Sequence, residues 1–190
     1  MNPLFVAAAA VQDLCRERGW GFCFIGGLAV LRWGEPRLTR DIDLTILAGF
    51  GAEEPVVDGL LDWFEARIDD ARNFALRNRV ALLRASNGVP VDVALGALDF
   101  EQRAAERASL WDVKEAQLLT CSAEDLIVHK AFAGRDRDWL DIEGIVIRQG
   151  EDLDSALMLR ELAPLAELKG DYDAVERLRT LLELSTKDSP

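Results

Sequence analysis

Asp41 and Asp43 stand two residues apart in the run Thr39-Arg40-Asp41-Ile42-Asp43-Leu44. From Asp41 to Leu47 the pattern alternates, with Ile42, Leu44 and Ile46 on one face and Asp41, Asp43 and Thr45 on the other. That period of two predicts a strand whose carboxylates point the same way, about 7 Å apart along the backbone. Two such carboxylates repel each other unless a cation lies between them. A third strand carboxylate, Asp92, occurs in Val89-Pro90-Val91-Asp92-Val93-Ala94-Leu95. Three carboxylates on adjacent strands can hold two Mg²⁺ ions, or Mn²⁺ in their place, about 4 Å apart. A metal pair of this kind grips a nucleoside triphosphate, activates an attacking hydroxyl and stabilises departing pyrophosphate. Gly26-Gly27 suits the same chemistry, because it ends an apolar strand and opens a helix, where bare N–H groups can meet a phosphate. No Lys-Ser/Thr follows the pair, and it is not GxGxxG, so neither familiar phosphate loop is present. Arg37 and Arg40, flanking Thr39, come just before the acidic strand, where cations could contact phosphate oxygens.

The elements that must position these groups are readable from periodicity. Residues 3–18 predict a helix, with Leu4, Ala7, Ala8, Val11, Leu14 and Cys15 at three- and four-residue spacing. Phe22-Cys23-Phe24-Ile25 predicts a short strand, and a helix through Leu28, Val30 and Leu31 runs to the break at Gly34-Glu35-Pro36. Val57–Ile68 predicts an amphipathic helix, Asn73–Leu76 and Val80–Ala85 predict strands, and Asn87-Gly88 predicts a hairpin turn into the Asp92 strand. A short helix over 101–107 and a strand through Leu118-Leu119-Thr120 follow. From Ser122 the pattern is wholly helical, over 122–132, 137–148, 152–166 and 171–184, and Ser122 with Asp125 forms a capping-box pattern. The expected fold is therefore α/β (α+β): a small mixed sheet flanked by helices over 1–120, then a helical subdomain over 121–190.

Composition narrows the chemistry. With 49% apolar and 29% charged residues the 190-residue chain is globular, which excludes disorder and collagen-like repeats. A net charge of −12 argues against broad duplex DNA binding, which draws its affinity from a basic face on phosphates. The first hundred residues carry a net −4 and the rest a net −8, so the acidity lies mainly in the helical half. One histidine, His129, excludes multi-histidine zinc sites. Cys15, Cys23 and Cys121 form no CxxC pair and read as reduced, buried thiols of a cytoplasmic protein. Leu4–Val11 is apolar but lacks a preceding basic region, and no run reaches the roughly 18 apolar residues of a spanning helix, so no membrane association is expected.

Together, Gly26-Gly27-Leu28-Ala29, Arg37-Leu38-Thr39-Arg40-Asp41-Ile42-Asp43-Leu44 and the later strand Asp92 resemble the DNA polymerase β-like nucleotidyltransferase superfamily. The closest likeness is to its minimal nucleotidyltransferases and the AbiEii abortive-infection toxin group. A second match, from Lys130 through Arg135, Arg137 and Asp138 to Asp141, is similar to that group's helical Lys…Arg-x-x-(Lys/Arg)-Asp-x-x-Asp motif. The resemblance spans residues from about 20 to 148. It implies that Asp41, Asp43 and Asp92 bind metal and carry catalysis, with Asp92 the base that takes the acceptor's proton. It implies nucleotide contacts from Gly26, Gly27, Arg37, Thr39, Arg40, Lys130, Arg135 and Asp138, with the helical subdomain completing the pocket. The reaction implied moves a nucleotidyl group from an NTP to a hydroxyl.

The acceptor is the open question. The AbiEii likeness points to an RNA end such as tRNA and to a cognate antitoxin, with Arg72, Arg77, Arg79 and Arg84 of the strand region as a candidate RNA patch. A small-molecule acceptor, such as an aminoglycoside or lincosamide, suits the acidic surface. A third reading, from another class, is a non-catalytic nucleotide-binding or antitoxin-like module. Plainer readings stand beside the sharp ones: Lys130, Arg135, Asp136, Arg137 and Asp138 also read as surface ion pairs, and His129 as a packed side chain. The five tryptophans read as core or interface anchors, with Trp33 the candidate for nucleobase contact.

Overall fold

The computed structural model describes residues 2–114 and 116–187, excepting the side chains of 185–187. Helix α1 (Pro3–Glu17) starts where the Asn2 side chain accepts a hydrogen bond from the Leu4 N–H at 3.0 Å. It buries Leu4, Ala7, Ala8, Val11, Leu14 and Cys15, the stripe that the spacing predicts. Then come β1 (Phe22–Ile25), α2 (Gly26–Trp33), β2 (Ile42–Leu47), α3 (Glu54–Trp63), β3 (Glu65–Ala66), α4 (Ala71–Asn78), β4 (Val80–Arg84) and β5 (Pro90–Gly96). Next follow α5 (Asp99–Glu106), β6 (Ser109–Val113), β7 (Ala116–Thr120), α6 (Ala123–Ala133), α7 (Asp136–Gln149), α8 (Ser155–Lys169) and α9 (Asp173–Lys187). Among the described residues no helix is long and apolar enough to cross a membrane.

The chain divides into an α/β unit, formed by the residues up to Leu28 with Leu38–Cys121, and a helical unit, formed by Ala29–Arg37 with the residues from Ser122 onward. In the α/β unit the described strands form one mixed sheet in the order β3-β4-β5-β2-β1-β7-β6. Strand β2 lies at its centre, antiparallel to β1 and parallel to β5. Ile42, Leu44 and Ile46 are fully buried there, as expected of a strand covered by neighbours and helices. Gln12, buried on α1, pins that helix to the sheet: its amide donates to the Gln117 carbonyl at 2.6 Å and accepts from the Leu119 N–H at 2.8 Å.

Three local expectations change. Residues 73–76 lie in α4, not in a strand. Asn73-Phe74-Ala75-Leu76 is too short to be decided by period alone, and here side-chain contacts accompany the helix: Asn73 Nδ2 donates to Asp70 Oδ1 at 2.6 Å, and Arg72 reaches across to Asp58 and Glu54 of α3. Helix α3 starts earlier than expected and stops at Trp63, after which β3 pairs with β4. Thr45, placed by alternation on the polar face, is 1% exposed, and its methyl packs where a Cβ on Gly96 would come within 2.6 Å.

In the helical unit Ser122 caps α6, its Oγ accepting from the Asp125 N–H at 3.1 Å. Helix α6 packs on α7, α8 and α9. The end of α2 is fastened to α7, with Gln149 Nε2 donating to the Trp33 carbonyl at 2.6 Å and Arg148 to the Gly34 carbonyl. Cys15, Cys23 and Cys121 are buried thiols, and burial pushes the Cys15 thiol up to about 12, which makes it inert as a nucleophile.

Candidate active site

Within the α/β unit the acidic residues meet through strand register. Asp43 of β2 and Asp92 of β5 are directly abreast in the parallel pair, so their Cα atoms are separated by about one strand spacing, 4.8 Å. Asp41 precedes β2 and is exposed, whereas Asp43 and Asp92 are half-buried.

Gly26 and Gly27 serve this cluster by having no side chain. A Cβ on Gly26 would lie 2.1 Å from Asp43 Oδ2, and one on Gly27 would lie 2.3 Å from Thr39 Oγ1. Gly26 also has φ +56°, a left-handed conformation that costs little only for glycine. The Gly27 N–H, at the start of α2, donates to Asp43 Oδ2 at 3.3 Å, and Thr39 Oγ1 donates to Asp41 Oδ1 at 3.0 Å. The sequence suggested this glycine pair as a phosphate cradle; in the structure one of its N–H groups holds an aspartate.

Asp92 holds its proton above the ordinary carboxylate range. Burial is the main cause and the nearby Asp41 charge adds to it, while the Arg67 guanidinium pulls the other way. Arg67, from the turn after β3, pairs with Asp92 Oδ1. Its role was invisible in the sequence, because a two-residue strand leaves no periodic signal. Arg40 is exposed.

The helical unit gathers a second constellation. Lys130 of α6, 5% exposed, donates from Nζ to Asp141 Oδ2 at 2.6 Å and to Asp138 Oδ1 at 3.2 Å, both on α7. Arg37 grips Asp141 with a two-pronged contact, Nε at 2.7 Å and Nη2 at 2.8 Å. Arg135 contacts Asp138 Oδ2 through Nε at 2.6 Å. Lys130, Arg37 and Arg135 thus share two buried carboxylates. Burial opposes ionisation of Asp138 and Asp141. The hydrogen bonds from Arg135 and Lys130 to Asp138, and from Arg37 and Lys130 to Asp141, outweigh it and hold both below the ordinary value. Asp141, which the sequence named as the end of the helical motif without giving it a role, is the hub, on the buried face of α7.

The sign of the linkage follows. A carboxylate whose folded pKa is depressed contributes stability that is complete above its unfolded value, about 3.9, and is lost as pH falls through the folded value. Asp138→Asn is therefore expected to flatten the fall in melting temperature below about pH 4; thermal melts that keep the wild-type pH slope would contradict this.

The arginines offered as an RNA patch are engaged elsewhere. Arg72 pairs with Asp58 and Glu54, and Arg77 with Asp70. Arg79 pairs with Glu53 and donates to the Gly49 carbonyl, and Arg84 donates to the Gly88 carbonyl. Arg72 and Arg77 lie on α4 rather than on a strand.

As to metal, the donors at Asp41, Asp43 and Asp92 are the hard oxygens that Mg²⁺ selects, and the Asp43–Asp92 register brings two of them abreast. Among the described residues no three acidic, thiol or imidazole side chains already converge on one point, since Asp43 is turned to Gly27 and Asp92 to Arg67. The residues fit a divalent cation that would take over these two contacts.

Comparison with known proteins agrees with this architecture. Among solved structures, the chain is similar to an antigenic nucleotidyltransferase-like protein from Paracoccidioides brasiliensis, with 16% identity and a TM-score of 0.51 over 90% of this chain and 91% of that one. That likeness shows the fold. The solution structure of the antibiotic-resistance factor ANT(2'')-Ia aligns over 92% of this chain and 96% of its own, with 18% identity and a TM-score of 0.47. The lincomycin-bound lincosamide adenylyltransferase LnuA covers 72% of this chain and 92% of its own, with 19% identity and a TM-score of 0.44. No curated protein matches by sequence. The profile of the family described as the nucleotidyl transferase AbiEii toxin, of type IV toxin–antitoxin systems, matches residues 18–185. The chain belongs to this AbiEii family and is a nucleotidyltransferase.

Proposed function

We propose that the chain carries out divalent-metal-dependent transfer of a nucleotidyl group from an NTP to a hydroxyl, with Asp41, Asp43 and Asp92 as the metal-holding carboxylates. The observation that supports this best is the pairing of Asp43 with Asp92 across β2 and β5, beside glycine backbone that leaves no room for another side chain. Bound Mg²⁺, or Mn²⁺, would supply Lewis-acid stabilisation of charge on the phosphate oxygens. The chain's own residues do the rest. Asp92 is the base that accepts the acceptor hydroxyl's proton. Gly26 and Gly27 position Asp43 through close backbone approach, and Thr39 orients Asp41. Arg37, Lys130 and Arg135 of the helical unit are cations of the kind that suit phosphate oxygens, and Arg40 is an exposed cation of the α/β unit.

Gly26→Ala tests the close approach. A Cβ in contact with Asp43 Oδ2 must push that carboxylate aside, and displacements of about 1 Å at a reacting centre can cost on the order of 10²-fold in rate. A loss of that size with retained folding is expected; wild-type turnover would contradict the role given to the glycine pair.

For the acceptor, the motif likeness stated above favours an RNA hydroxyl such as a tRNA end, and the family's type IV toxin–antitoxin description favours a cognate antitoxin. A cationic small molecule is the second reading, supported by the net charge of −12 and by the internal pairing of Arg72, Arg77 and Arg79. Incubation with each α-labelled NTP, Mg²⁺ and either total tRNA or a panel of aminoglycosides and lincosamides separates them. Label on RNA supports the first reading, and label on a drug with none on RNA overturns it.

A further inference from the structure

A single row of residues crosses the sheet at the level of the acidic cluster. Ile25 of β1 pairs with Asp43 of β2, Asp43 with Asp92 of β5, and Asp92 with Leu82 of β4. The Arg67 N–H, just after β3, donates to the Leu82 carbonyl at 3.0 Å and extends the row by one place. Arg67 therefore stands two strands from Asp92, about 10 Å across the sheet, a span that an extended arginine covers. Its Nη2 reaches Asp92 Oδ1. Its Nε is buried with no hydrogen-bond partner. Reaching Asp92 thus leaves a buried donor unsatisfied, an arrangement with a free-energy cost, so this side-chain conformation is readily given up when Asp92 is claimed by another cation. Both side chains keep partial solvent access, 23% for Arg67 and 32% for Asp92, which leaves room for the exchange.

We infer that Arg67 is the resident counter-ion of Asp92: a positioning residue that holds this carboxylate in the unloaded site and competes with the divalent cation for it. The inference rests on the metal-binding reading given above. It makes an unusual demand, because removing the residue must strengthen binding, whereas loss of a purely structural contact would weaken it or leave it unchanged. The contact also restrains Asp92 from its neighbour Asp41, whose charge repels it.

The test is Mn²⁺ titration of the whole chain without nucleotide, followed by electron paramagnetic resonance and calorimetry, comparing wild type, Arg67→Gln, Arg67→Lys and Asp92→Asn. Arg67→Gln is expected to bind Mn²⁺ about fivefold to tenfold more tightly, the factor set by removing one charge-assisted contact from a half-open site. Arg67→Lys, which keeps the charge but loses the planar fork, is expected to fall between Arg67→Gln and wild type, and its tighter binding than wild type carries the test if Arg67→Gln folds poorly. Equal or weaker binding by both Arg67 variants, with binding by wild type lost in Asp92→Asn, overturns the counter-ion role and leaves the metal site standing. No Mn²⁺ binding by wild type or by either Arg67 variant overturns both.

Discussion

Replacing Asp41 and Asp43 together by Asn is expected to abolish Mg²⁺-dependent nucleotide binding and to lower turnover by at least about 10³-fold, which corresponds to roughly 4 kcal/mol of lost transition-state stabilisation. The substitution is nearly isosteric. It leaves the Ile42–Leu44–Ile46 core of β2 untouched and keeps an acceptor oxygen at position 43 for the Gly27 N–H. What it removes is two negative charges, leaving Asp92 with Arg67 alone. A variant that folds and melts like wild type but no longer binds Mg²⁺–NTP is the expected result. Unchanged Mg²⁺-dependent binding would remove Asp41 and Asp43 from the site.

The second large effect is on stability. Lys130→Met is expected to destabilise the chain by about 3–5 kcal/mol, the usual cost of removing one partner from a buried charge network. The lysine is 5% exposed and touches Asp138 and Asp141, themselves 4% and 8% exposed. Without it, two buried carboxylates face only Arg135 and Arg37. For a chain of this size that loss lowers the melting temperature by about 10 °C. The restoring experiment is Lys130→Met with Asp138→Asn, which removes the buried carboxylate left with the largely exposed Arg135 and is expected to recover part of the loss. A melting temperature for Lys130→Met within about 2 °C of wild type would show the network to be a solvated ion cluster instead.

Local chemistry was legible in the amino-acid order and long-range partnership was not. The stripe of α1, the Ser122 cap and the strand–glycine–helix passage at Phe22–Trp33 all depend on neighbours within a turn or two, and they form where periodicity places them. That Asp43 and Asp92 stand abreast depends on parallel pairing of β2 with β5 across the intervening α3, β3, α4 and β4, which no local pattern encodes. The same holds for Arg37. Its guanidinium is gripped by Asp141, 104 residues away, a partner that no local pattern names. Alternation puts Thr45 on the Asp43 face but says nothing of its burial, which follows from a central strand being covered on both faces. Arg72, Arg77 and Arg79 counted as free positive charge in the sequence, whereas acidic residues of α3 and the loops around it neutralise them.

Position-specific labelling of the NTP tests the central claim most directly. The chain is incubated with Mg²⁺, total tRNA and NTP labelled on either the α- or the γ-phosphate, with and without chelator, and Asp92→Asn is run in parallel. The expected result is α-label on the acceptor, γ-label in released pyrophosphate, and loss of both with chelator or in Asp92→Asn. Transfer of the γ-label to the acceptor, or α-label transfer that persists in chelator and in Asp92→Asn, would contradict it.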